Sequence, residues 1–334
     1  MVNASAVASL ALPPENHISS TTGYNRNATD KPSLCNRSTL QLENKKASKN
    51  LPRWQRLLFS TIRVTLLSYA GLLIVLVAME SRLVFPGAYM EDDHRAVAKP
   101  NAAIEAIRYM ASDGVEAGGR LFEKEGPTNY VLFLHGNGTK VAWLDDWMRR
   151  LSHELDATVL AAEFRGFADD SNTPNETGLI ADCFGARDFF CRRYDLTPNQ
   201  IILYGQSLGG GCATALAVDG GAKVLILERT FDRLVDIAAE MYPFIPTRLI
   251  MRNRFDSVAR IANYHGPLIQ IHGDTDRLIP IENARNLFDS SASQNKTWIE
   301  MDGVGHNDTL PRSTMKQVAG LVEAINAGSS NAGS

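Results

Sequence analysis

The chain has 334 residues, 44% of them hydrophobic and 21% charged, with a formal net charge of −3. That balance leaves no basic field to neutralise phosphates, so nucleic acid is not expected as a partner. The apolar fraction excludes a wholly disordered chain, and four cysteines in this length exclude a disulfide-stapled miniprotein.

Residues 1–55 are rich in Ser, Thr, Asn, Ala and Lys, carry Pro13, Pro14 and Pro32, and show no sustained apolar period. They are expected to form a disordered polar tail, since they bury too little apolar surface to offset chain entropy. Residues 57–79 then read LLFSTIRVTLLSYAGLLIVLVAM, with Arg63 as the only charge. A hydrocarbon core of about 30 Å needs about 20 helical residues, so this segment is expected to be a transmembrane helix. A cleaved signal peptide fits poorly after more than 50 polar residues, and a core helix would need no apolar face all round. Lys45, Lys46, Lys49, Arg53 and Arg56 precede the segment, whereas Glu80, Arg82, Glu91, Asp92 and Asp93 follow it. The positive-inside rule therefore predicts a single-pass protein with a cytoplasmic N-terminus and its large domain on the non-cytoplasmic side.

From residue 80 the pattern alternates. Strands are predicted at 130–134, 158–162, 201–204, 223–227, 268–272 and 296–301. Helices are predicted at 141–155, 176–194, 208–218, 231–241, 282–288 and 313–325. Apolar strands alternating with helices predict an α/β domain over 80–326 with a mostly parallel sheet flanked by helices. Residues 231–263, between two strands, are expected to form a small lid over an acyl or leaving-group pocket. Residues 327–334 read as a flexible end.

The strand at 201–204 runs into Gly205-Gln206-Ser207-Leu208-Gly209 and then a helical pattern. A sharp strand-to-helix turn raises a serine hydroxyl above a sheet and leaves no room for a Cβ beside it. A serine hydroxyl is a weak nucleophile without a base. Of seven histidines, His17 lies in the tail, and His94, His153 and His265 sit in polar or helical surroundings. His135 and His272 end strands before glycines and are expected to brace turns. His306, in Gly303-Val304-Gly305-His306-Asn307-Asp308 after the last strand, is the expected base. The loop after 268–272 offers two acids. Asp276, before Arg277-Leu278-Ile279-Pro280, is expected to orient His306, and Asp274 to brace the loop. The oxyanion hole is expected from the backbone N–H groups of Leu208 and of Asn137, the latter in His135-Gly136-Asn137-Gly138.

HGNG, EFRGFADDSNTPNETGL, GQSLGG, HGDTDRLIP and GVGHND, in that order, resemble the α/β-hydrolase superfamily. More narrowly they resemble its membrane-anchored serine hydrolases with a serine-aminopeptidase-type hydrolase domain, including Leu83-Val84-Phe85-Pro86 after the anchor. The resemblance spans about residues 80–326. It implies the α/β-hydrolase fold, an eight-stranded sheet and no cofactor. One departure is Ala168, where relatives usually have glycine, before Asp169-Asp170-Ser171. Cys183 and Cys191, eight apart on one predicted helix, lie too far apart to bond, and no metal-ligand spacing appears. Sequons at Asn137 and Asn307 flank the expected site, where a glycan would block it.

The leading expectation is a membrane-anchored serine hydrolase that cleaves an ester, thioester or amide of a small or lipid-like acyl substrate. The alternatives are a peptidase or acyltransferase on the same fold, or a catalytically silent anchored interaction protein.

Overall fold

The structure is a computed structural model and describes residues 51–90, 103–168 and 172–331. Most of the expected tail, the acidic run after the anchor and Asp169 to Ser171 lie outside the described residues. The chain divides into two compact units, Met1–Arg56 and Leu57–Ser334. Of the first unit only residues 51–56 are described.

Helix α1, Arg53–Ala78, starts four residues before the expected anchor, directly after Pro52. Proline lacks the N–H that a first turn leaves unbonded anyway. Among the described residues α1 is the one helix long and apolar enough to cross a membrane, and none of it is buried inside the protein, which sets the core-helix reading aside. A turn at Met79 leads to α2, Glu80–Val84, and a 3-10 turn, Pro86–Tyr89.

The remaining strands are β1 (Ile104–Met110), β2 (Glu116–Phe122), β3 (Asn129–Leu134), β4 (Ala157–Ala162), β5 (Ile201–Gln206), β6 (Val224–Glu228), β7 (Leu268–Gly273) and β8 (Lys296–Met301). They form one sheet of order β1-β2-β4-β3-β5-β6-β7-β8, with β2 antiparallel to both its neighbours, β1 and β4, and every other pair parallel. The helices between them are α3 (Asp145–Leu155), α4 (Glu176–Tyr194), α5 (Leu208–Gly220), α6 (Leu234–Met241), α7 (Thr247–Ile250), α8 (Ser257–Ile261), α9 (Ile281–Asp289) and α10 (Arg312–Asn331).

The side-chain period of two sorts the central strands onto two faces. Leu132, Leu134, Leu160 and Leu203 meet α4 and α5 through Phe190 and Leu216. Val131, Phe133, Val159 and Tyr204 meet α3 and α10 through Met148 and Met315. Burial on both faces explains why β4 and β6 are wholly buried and read as unbroken apolar runs.

Three expectations change. Strands β1 and β2 were not legible, because both alternate with exposed residues and β2 contains Gly118 and Gly119. A Cβ on Gly119 would lie 2.6 Å from the Ala161 carbonyl, so glycine is what lets β2 pair with β4. The segment 141–155 is a 3-10 turn, Val141–Trp143, followed by α3. The last helix runs to Asn331 rather than residue 325. Gly328 alone costs a helix about 1 kcal/mol, and no proline follows to stop it. The expected lid lies between β6 and β7 and contains α6, α7 and α8.

Candidate active site

Ser207 stands between β5 and α5 with φ 50° and ψ −114°, a left-handed backbone that a serine adopts only under constraint. Its N–H donates to the Glu228 carbonyl at 2.9 Å, and its carbonyl accepts from Thr230 Oγ1 at 2.7 Å. The flanking glycines are steric necessities. A Cβ on Gly205 would sit 2.6 Å from the Gly209 carbonyl, and one on Gly209 would sit 2.0 Å from the Leu134 carbonyl. The turn thus brings β3, β5 and the start of α5 into backbone contact beneath the hydroxyl.

Ser207 Oγ lies 3.0 Å from His306 Nε2. His306 Nδ1 donates to Asp276 Oδ2 at 2.7 Å. Asp276 Oδ1 accepts from the N–H groups of Leu278 and Ile279, both at 2.9 Å, so the loop itself aims the carboxylate. Burial by itself would raise the Asp276 carboxyl, but hydrogen bonds from His306 and the Ile279 N–H outweigh it and hold it below the ordinary 3.8. Asp274 takes the other position, accepting from Gly303 N–H at 2.7 Å and tying the acid loop to the His306 loop. A hydroxyl so placed can pass its proton to the imidazole, and a carboxylate so placed can stabilise the imidazolium that results.

Two of the other histidines, His135 and His272, are buried braces. His135 spans the Gly136 carbonyl at 2.8 Å and Glu163 at 2.9 Å, packed against Phe164 and Phe167. His272 Nε2 donates to the Ile279 carbonyl at 2.9 Å, and burial pushes its ring below the ordinary value.

Asn137 and Leu208 line one cavity with Ser207. The 3-10 turn after α2 holds the Asn137 peptide from behind. Asn137 Nδ2 donates to the Val84 carbonyl at 2.6 Å, and Gly87 passes so close that a Cβ there would lie 1.7 Å from the Asn137 carbonyl. That amide is half-buried and engaged, which does not suit it to carry a glycan.

Four charged residues of the site region went unread in the sequence. Arg229, with φ 47°, donates through Nη1 to the carbonyls of Gly305 at 3.1 Å and Asp308 at 2.5 Å, clamping the two sides of His306. Glu228 pairs with Arg229 and accepts from Tyr204 Oη at 2.5 Å. Both are almost fully buried. Their one legible signal was a charged dipeptide closing an all-apolar strand. Glu176 accepts from the N–H groups of Arg254 and Phe255, both at 2.8 Å, and so fixes the base of the lid. Glu80 accepts from Arg252 N at 2.7 Å and from Asn253 N and Nδ2 at 2.9 Å, joining the start of α2 to the same stretch.

The cavity measures about 470 Å³ and is walled mainly by apolar side chains from three places: the end of α1 and α2, the lid, and the loop at Leu278 and Ile279. Two of its lining residues, Asn137 and Thr247, each bury a side-chain oxygen with no hydrogen-bond partner among the described residues.

The alpha/beta hydrolase family matches residues 131–256. An uncharacterised protein of Mycobacterium tuberculosis (strain CDC 1551 / Oshkosh) is 32% identical over 200 residues, 59% of this chain and 70% of that one. The alpha/beta hydrolase domain-containing protein WAV2 of Arabidopsis thaliana is 27% identical over 260 residues, 70% of this chain and 83% of that one. Among solved structures, an alpha-beta hydrolase from Vibrio vulnificus aligns with a TM-score of 0.58 at 17% identity, covering 74% of this chain and 92% of that one. The chain belongs to the alpha/beta-hydrolase superfamily, and that membership supports a hydrolase.

Proposed function

We propose that the protein is a membrane-anchored serine hydrolase that cleaves a carboxylic ester, thioester or amide through an acyl-enzyme. The observation that carries this reading is the unbroken hydrogen-bonded series Ser207, His306, Asp276 beside an apolar cavity. Ser207 Oγ attacks the acyl carbonyl as His306 Nε2 takes its proton. His306 then returns the proton to the leaving alcohol, thiol or amine. Water, activated by the same imidazole, releases the acid and restores Ser207. The Leu208 and Asn137 N–H groups hold the oxyanion, and the field at the start of α5 supports them. Asp276 keeps Nδ1 protonated and Nε2 free to accept. The substrate is a small or lipid-like acyl compound. Residues 1–55 form a cytoplasmic tail, residues 57–79 cross the membrane, and the hydrolase domain with its lid at 231–263 works on the opposite side.

The test is active-site labelling. A fluorophosphonate probe should modify the wild type and leave Ser207→Ala unlabelled, with acyl-ester hydrolysis lost in step. Equal labelling of the two proteins would overturn the reading.

Arg229 acts here as a positioning residue. Arg229→Met frees the His306 loop, and a displacement of about 1 Å at a reacting group costs about 100-fold in rate. It also strands buried Glu228, which destabilises by about 3–5 kcal/mol. Pairing it with Glu228→Gln removes the stranded charge. The double variant should therefore regain thermal stability yet still label 10- to 100-fold more slowly, with KM for short esters little changed. Recovery of both stability and labelling rate would show the clamp to be structural only.

A further inference from the structure

Tyr69 lies on α1 nine residues before its last residue, Ala78, about 14 Å along the axis. Its hydroxyl donates to the carbonyl of Phe244 in the lid at 2.7 Å. The tip of the lid therefore runs alongside the apolar helix, well back from its C-terminal end. That tip exposes Phe244 at 88% and Leu249 at 85%, with Met241 and Tyr242 also exposed. Its backbone is nonetheless largely occupied. Pro243 and Pro246 carry no N–H, Ile245 N–H bonds the Tyr242 carbonyl at 2.9 Å, Leu249 N–H bonds the Pro246 carbonyl at 2.9 Å, and Tyr69 takes the Phe244 carbonyl. Exposed apolar side chains over a self-bonded backbone suit hydrocarbon, where no water can bond a loose peptide group.

The cavity joins the same two elements. Leu76 and Val77 of α1, Met241 and Tyr242 of the lid, and Ser207 all line it. Glu80, two residues after the end of α1 and the first of α2, bonds the lid base at Arg252 and Asn253. Thr247, 8% exposed, lines this space as well, and its buried hydroxyl has no hydrogen-bond partner among the described residues.

We propose that the lid tip is sunk in the leaflet crossed by the C-terminal half of α1. The cavity is then a slot through which the acyl chain of a membrane lipid reaches Ser207 from the bilayer rather than from water. This rests on the reading of α1 as an anchor and of Ser207 as the nucleophile. The anchor is then part of the substrate pocket, not a tether alone. The reaction is ester hydrolysis: the acyl C–O bond breaks, water supplies the hydroxyl of the acid, and the proton leaves with the alcohol.

Full-length protein in phosphatidylcholine vesicles tests both halves. In a background of Cys35→Ser and Cys191→Ser, a fluorophore on Phe244→Cys should be quenched at least twofold more by acyl-chain nitroxide lipids than one on Gln317→Cys, which is exposed on α10. Equal quenching would place the lid tip in water and overturn the proposal. Leu76→Trp narrows the slot from the α1 side. It should lower the ratio of palmitoyl-ester to butyryl-ester turnover at least tenfold, and the ratio cancels any general loss of activity. An unchanged ratio would remove the acyl slot. Fluorophosphonate labelling of Ser207 in the same vesicles separates the two levels. Labelling without quenching or chain-length discrimination rejects the lid placement alone, whereas absent labelling rejects the hydrolase reading itself.

Discussion

Asp276→Asn should lower kcat by about 10⁴-fold while leaving the fold in place, as expected where the amide replaces the carboxylate of such a triad. The geometry gives the reason. Asp276 is held on both oxygens: Oδ1 takes two backbone N–H groups of its own loop, and Oδ2 takes His306 Nδ1. The backbone donors require an acceptor at Oδ1, so an asparagine keeps its oxygen there and presents its NH₂ to Nδ1. The imidazole must then carry its proton on Nε2, where it can no longer receive one from Ser207. The measurement is burst-phase fluorophosphonate labelling together with ester turnover, and a fall of less than about tenfold would sink the assigned role. A second consequence concerns pH. The folded Asp276 carboxyl lies below its ordinary 3.8, so the fold binds that proton more weakly than the unfolded chain does. Its contribution to stability is complete above the unfolded value and is lost as pH falls through the lower, folded one. Between about pH 5 and pH 2 the wild type should therefore lose stability more steeply than Asp276→Asn, as read by chemical denaturation at each pH.

Gly209→Ala should have the largest effect on the fold. The added Cβ would stand 2.0 Å from the Leu134 carbonyl oxygen and 2.7 Å from that of His135. Both are backbone atoms at the end of β3, which is paired on both sides by β4 and β5 and has nowhere to move. Relief requires shifting the turn that carries Ser207 or the strand beside it. A loss above about 4 kcal/mol is expected, which for a domain of this size is a fall of about 10 °C or more in Tm. Gly138→Ala, in the neighbouring loop with nothing within 4 Å of the new Cβ, is the control and should leave Tm unchanged. A Gly209→Ala protein melting within about 2 °C of wild type would show that the turn is more yielding than its contacts indicate.

The parts of this protein that were legible in one dimension are those decided by a few consecutive residues. The runs at β3 to β7 announce strands buried on both faces, and the apolar length of α1 announces a helix with no polar side. Gly205 and Gly209 announce the turn at Ser207, because Gly-x-Ser-x-Gly between a strand and a helix is a pattern of five consecutive residues. Asp276 and His306 were reached by position after a strand, an argument about chain order alone. The half-exposed β1 and β2 escaped, since exposed residues alternate along them and Gly118 and Gly119 interrupt β2.

Tertiary structure alone decided the rest. Arg229 becomes a clamp only because β6 lies beside β7 in the sheet, which brings Gly305 and Asp308 within reach 76 and 79 residues away. Tyr69 and Glu80 meet the lid across 175 and 172 residues. Periodicity and turn chemistry reach over a handful of positions. A hydrogen bond between distant segments depends on the strand order and on where the lid lands, and no local run of side chains encodes that.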